Sequence, residues 1–154
     1  LMTINVVSEK LRFSYDDSFL YNSHTVINCV RIDKVKNALH TTAKKIVAQS
    51  DMNFVIQYQT KYILGVVNSI LCNWYFKSFQ SEGLHFYPDD VKNLPIPTAT
   101  KEQQQEIIIL VDKILAAKKQ DSSTDTTEWE KQIDQKVYEL YGLTEDEIAI
   151  VEGR

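Results

Sequence analysis

The stretch from Tyr62 to Leu115 constrains this chain most, because it joins two helical segments through a piece that cannot be helical. From Thr60 to Phe79, the residues Ile63, Val66, Val67, Ile70, Leu71 and Trp74 keep helical spacing. Apolar side chains cover more than one face there, which predicts a buried central helix. Gly65 inside it costs about 1 kcal/mol relative to Ala, so a close neighbour is expected at that point. Gln80-Ser81-Glu82-Gly83 stops the helix, and Leu84-His85-Phe86-Tyr87 reads as a short extended piece before Pro88. Asn93-Leu94-Pro95-Ile96-Pro97 must be extended, since each proline fixes its own φ and disfavours helix at the residue before it.

Three helices are expected after this kink. Thr100 with Gln103, Thr127 with Glu130, and Thr144 with Glu147 fit the capping-box pattern, in which hydroxyl and later side chain satisfy each other's free amides. The first helix carries Ile107, Leu110, Val111, Ile114 and Leu115 on one stripe; the second carries Trp129, Ile133, Val137 and Leu140. Asp121 to Thr127 is a polar link. Gly142 closes the second helix, and the short third one faces inward through Ile148 and Val151.

The chain before Thr60 reads as more extended. Thr3-Ile4-Asn5-Val6-Val7 is rich in β-branched residues, and Leu11-Arg12-Phe13-Ser14-Tyr15 alternates, with Leu11, Phe13 and Tyr15 on one face. Asp16-Asp17-Ser18 and Asn22-Ser23-His24 are polar breaks around the apolar run Phe19-Leu20-Tyr21. Thr25 to Ile32 is the strongest strand candidate. Asp33 then suits a helix N-cap, with Val35, Leu39, Ile46 and Val47 on one stripe of a helix ending near Ser50, and Phe54-Val55-Ile56 suggests one more short strand. The fold class is therefore α+β, with a small β-rich N-terminal part and a mainly helical C-terminal part. One domain spans 1–154, divided into a recognition part at 1–59 with a helical insertion, and a scaffold at 60–154.

Apolar residues make up 44% and charged residues 25% of the 154, which is ordinary for a globular domain with a hydrophobic core. No apolar run approaches the roughly 18 residues of a membrane span, and no basic n-region precedes an apolar stretch at the N-terminus. The chain begins at Leu1 rather than Met, from which a piece of a longer protein is expected. Cys29 and Cys72 lie far apart in apolar surroundings and read as buried free thiols of a reducing cytoplasm. The net charge of −4 is uneven: ten Lys and Arg oppose eight Asp and Glu up to Leu94, whereas seven oppose thirteen from Pro95 onward. Any contact with nucleic acid therefore belongs to the N-terminal part.

No catalytic pattern emerges. The sequence has no phosphate-binding glycine loop, no H-E-x-x-H and no G-x-S-x-G elbow. His24, His40 and His85 lack ligand spacing and read as surface or hydrogen-bonded structural groups. Asp16-Asp17 and Asp89-Asp90 read as turns, and the acidic residues of the last three helices as solvated faces. Lys10, Arg12, Arg31, Lys34, Lys36, Lys44, Lys45 and Lys61 concentrate before Tyr62, and Tyr15, Tyr21, Asn22 and His24 interleave with the first of them. Lys and Arg neutralise phosphates, while Asn, His and Arg on loops read base edges. On residue types alone, an ordinary solvated face is the simpler explanation.

The central stretch adds a resemblance. Tyr62-Ile63-Leu64-Gly65-Val66-Val67-Asn68-Ser69 with Trp74-Tyr75-Phe76, Asn93-Leu94-Pro95-Ile96-Pro97, the run Gln103 to Ile114, and Ile133-Asp134 through Val137-Tyr138-Glu139-Leu140-Tyr141-Gly142-Leu143-Thr144 resemble, in this order, one family. The family comprises the TaqI-like target recognition domains of fused restriction enzymes and adenine-N6 DNA methyltransferases. Glu147-Ile148 with Val151-Glu152 is similar to its ending, and Leu11 to Asp16 and Asn22 to Thr25 are more loosely similar to its variable part. The methyltransferase tetrapeptide N/D-P-P-Y/F, its cofactor loop and a nuclease motif are absent.

The resemblance implies a non-enzymatic domain that binds duplex DNA sequence-specifically and positions methyltransferase and nuclease domains of the same chain. S-adenosylmethionine and Mg2+ are expected in those domains and no cofactor in this one; the location implied is cytoplasmic, with no membrane partner. The contact residues expected are Lys10, Arg12, Asn22, His24, Arg31, Lys44 and Lys45. The alternative is a helical protein-interaction module that exposes the apolar stripes of 101–119 and 128–141.

Overall fold

The computed structural model describes residues 2–5, 10–16, 26–35, 41–79 and 87–154. It is an α+β fold. Three short strands, β1 (Met2–Asn5), β2 (Phe13–Tyr15) and β3 (Val26–Cys29), form an antiparallel sheet in the order β2-β1-β3. A 3-10 turn at Ile32–Lys34 leads on to α1 (Thr41–Gln49) and α2 (Met52–Val55). The centre of the molecule is α3 (Thr60–Asn68), followed by α4 (Ile70–Phe79), α5 (Pro88–Lys92), α6 (Lys101–Gln120), α7 (Thr127–Tyr141) and α8 (Glu145–Glu152). One apolar core joins Leu11 and Phe13 of the sheet side to Tyr62, Val66, Ile107, Val111, Ile133, Val137 and Ile148.

Close approach explains Gly65. A Cβ there would stand 2.6 Å from Ile107 Cγ2 and 3.2 Å from Val111 Cγ2, so α3 and α6 touch where the glycine removes a side chain. The proline kink is held from both sides. The Tyr62 hydroxyl donates to the Pro97 carbonyl at 2.8 Å, and the Tyr141 hydroxyl donates to the Pro95 carbonyl at 2.6 Å. Extended backbone that cannot form a helical ladder thus finds its partners on α3 and α7. Gln104 serves the neighbouring turn, donating to Gln57 and Ala99 carbonyls and accepting from the Gln59 amide.

Several expectations are corrected. The long helix from Thr60 to Phe79 is broken at Ser69, whose backbone is extended at φ −64° and ψ 158°. Ser69 Oγ accepts from the Cys72 amide at 3.2 Å and so opens α4 as a cap residue, a local bond that competes with helix continuation. Phe54-Val55-Ile56 is not a strand: Asp51 accepts from the Asn53 and Phe54 amides and starts α2 instead, and Phe54 and Ile56 are more than half exposed. Asp33 is not a helix cap but lies inside the 3-10 turn, paired with Arg31; Thr25 to Ile32 is strand only over Val26–Cys29.

Capping boxes form at Thr100 and Thr144 but not at Thr127. There Asp125 lies two residues ahead and its carboxylate takes both the Thr127 amide and its hydroxyl. Asp89-Asp90 lies in the first turn of α5, where Asp90 accepts from the Tyr87 amide. The Asp134 carboxylate is buried rather than solvated. Val6-Val7, Asp17-Ser18, Phe19 to His24, Lys36 with Leu39, and Gln80 to Phe86 lie outside the described residues.

Candidate nucleic-acid interface

Alternation from Leu11 through β2 decides what this surface offers. Leu11 and Phe13 are buried and Tyr15 packs against the core, whereas Arg12 and Ser14 are exposed. Pairing places Ile4 between Phe13 and Ile27, and Thr3 between Ser14 and Asn28. On β3, Ile27 and Cys29 lean on the core while Asn28 is exposed. One face of the sheet therefore meets the helices, and the other carries Arg12, Ser14 and Asn28.

Among the described residues β2 is an edge strand, and two asparagines occupy its outer edge. Asn68 Oδ1 accepts from the Phe13 amide at 2.8 Å while its Nδ2 donates to the Phe13 carbonyl at 2.9 Å. Asn73 Oδ1 accepts from the Leu11 amide at 2.7 Å, and its Nδ2 donates to the Leu11 carbonyl at 3.4 Å. Each amide also donates to the carbonyl four residues back on its own side, Leu64 for Asn68 and Ser69 for Asn73. Lys61 ties the same strand end to α6: its ammonium pairs with Asp112 and lies 5.4 Å over the Tyr15 ring.

The break between α3 and α4 is secured from α7. Asp134 accepts from the Ile70 amide at 2.8 Å, and burial pushes its carboxyl up to about 6, with Glu130 and Glu152 adding like charge. Tyr138 donates to Glu152 nearby, and Glu152 pairs with Arg154. Burial beside the break pushes the Cys72 thiol up to about 12, which keeps it protonated at neutral pH. Among the described residues, no group of three or more His, Cys, Asp or Glu is placed to hold a metal ion. No helix is long and apolar enough to cross a membrane among those residues.

The expected contact residues fall into two described sets. Lys10 and Arg12 are exposed on either side of buried Leu11, at the entry of β2. Lys44 and Lys45 are exposed on α1, which packs beside the 3-10 turn. Arg31 belongs to that turn and is engaged within the protein: it forms a bidentate pair with Asp33 at 2.9 and 3.2 Å and donates to the Tyr58 carbonyl. The guanidinium holds the Asp33 carboxyl below its usual range. Arg31 thus links the end of β3 to the α2–α3 turn. Asn22 and His24 lie outside the described residues.

Asn68, Asn73 and Asp134 carry roles that the residue patterns do not mark as functional. Their signal was present all the same, since polar residues inside or beside an apolar helical stripe need a partner. The apolar stripes of α6 and α7 meet inside the core rather than facing outward. No family model, curated protein or solved structure matches the chain.

Proposed function

We propose that this chain is a sequence-specific duplex-DNA recognition domain that positions the methyltransferase and endonuclease of a restriction–modification enzyme. The catalytic groups, S-adenosylmethionine and Mg2+ would belong to other domains of the same cytoplasmic protein. One observation carries the reading beyond the motif resemblance: β2 is anchored on its inner side and edge while Lys10, Arg12 and Ser14 stand exposed beside it. A rigidly held strand with outward Arg and polar side chains suits phosphate positioning and base-edge contact. The excess of acid after Pro95 suits a side turned away from the duplex. The alternative, a protein-binding module using the stripes of α6 and α7, lacks those stripes on its surface.

The test is fluorescence anisotropy on a mixed-sequence duplex over a range of KCl. Arg12→Ala combined with Lys44→Ala and Lys45→Ala should weaken binding and reduce the salt slope by about 0.9 for each phosphate no longer neutralised. Unchanged affinity and slope would remove these residues from the interface. Absence of binding by the parent chain at low salt would contradict the reading.

A further inference from the structure

We infer that Asn68 and Asn73 together act as a side-chain substitute for a fourth strand, and that this pair positions Arg12 for the duplex. The inference rests on the duplex-binding reading for its second half only. The first half is geometric. Each amide meets both backbone groups of one residue, as a neighbouring strand would, and the residues met, Leu11 just before β2 and Phe13 at its start, are alternate ones. Alternate residues of a strand present their amide and carbonyl to the same edge, about 6.6 Å apart.

A continuous helix could not do this. Five residues advance a helix by about 7.5 Å, which suits the strand, but rotate it to about 140° from the starting direction, which would turn the second amide away. The break at Ser69 resets that rotation, and Ser69 and Asp134 cap the new start. The interruption of the apolar helix is therefore the device that brings both amides to one strand edge.

Its consequence is register. A slip of β2 and the two residues leading into it by one position would send Arg12 inward and Leu11 outward, since side chains alternate. Among the described residues, the sheet pins β2 by three paired positions, Met2 with Tyr15, Thr3 with Ser14 and Ile4 with Phe13. The two asparagines fix it independently from the other edge.

Two measurements on the whole chain test this. Amide hydrogen exchange at Leu11 and Phe13 should accelerate about tenfold or more in Asn68→Ala and in Asn73→Ala, each at its own strand residue, with α6 and α7 amides unchanged. In anisotropy against a mixed-sequence duplex, Arg12→Ala should reduce the salt slope by about 1 in the parent and leave it unchanged when introduced beside Asn73→Ala. Asn73 is the variant of choice because it bonds Leu11, the residue next to Arg12. If exchange at Leu11 and Phe13 stays slow, the substitute strand is refuted. If exchange rises but Arg12→Ala has the same effect in both backgrounds, the positioning role falls and the duplex reading stands. A parent chain that binds no duplex removes both the reading and the positioning role.

Discussion

Gly65 shows how one residue sets the spacing of two helices. Ala at this position gains helix propensity worth about 1 kcal/mol, yet its Cβ would collide with Ile107 and crowd Val111. Overpacking of that kind costs roughly 1–3 kcal/mol, so Gly65→Ala should lower the urea midpoint; a raised midpoint would show that α6 yields without cost. Asp134 makes a second prediction. Its folded carboxyl titrates near 6, above the ordinary 3.8, so the associated stability is fully present below pH 3.8 and is lost as pH rises through 6. Asp134→Asn keeps an oxygen for the Ile70 amide and carries no charge. It should be more stable than the parent at pH 7, by about 3 kcal/mol, with the difference vanishing as pH falls below 4. Parallel stability curves for the two proteins across pH 4–7 would contradict this.

At the scale of elements, capping and the kink give contrasting outcomes. Thr100→Ala and Thr144→Ala should each cost about 1 kcal/mol in thermal or urea unfolding, because both hydroxyls accept from helix amides. Thr127→Ala should cost less, since Asp125 takes over the first turn of α7. Tyr62→Phe and Tyr141→Phe should each cost about 1–2 kcal/mol by stranding a proline carbonyl. Much of this was legible in the sequence: the stripes of α6 and α7, the extended Pro95–Pro97 segment and the alternation of Leu11 to Tyr15 follow from period and proline chemistry. The break at Ser69 was not, because apolar periodicity continues through it and only the caps of Ser69 and Asp134 reveal the turn. Asp51 likewise overrode the β-branched run after it, since a carboxylate holding two amides outweighs local strand preference. The Asn68 and Asn73 bonds to Phe13 and Leu11 reach across more than fifty residues, so the local pattern showed that these polar side chains need partners but not which ones.

At the scale of the molecule, one apolar core among the described residues anchors a small sheet that could not stand alone at three and four residues per strand. The helical part supplies the rigidity, and the sheet presents Arg12, Ser14 and Asn28 away from it. Division of labour of this kind leaves the most recognisable residues, from Tyr62 to Leu115, as scaffold. The proposed specificity lies with Lys10, Arg12 and their neighbours. Selection of bound sites from a randomised duplex library tests this most directly. The account predicts enrichment of one short motif by the parent chain, and its loss in Arg12→Ala with helical circular dichroism unchanged. A pool that stays random with the parent chain would contradict sequence-specific recognition.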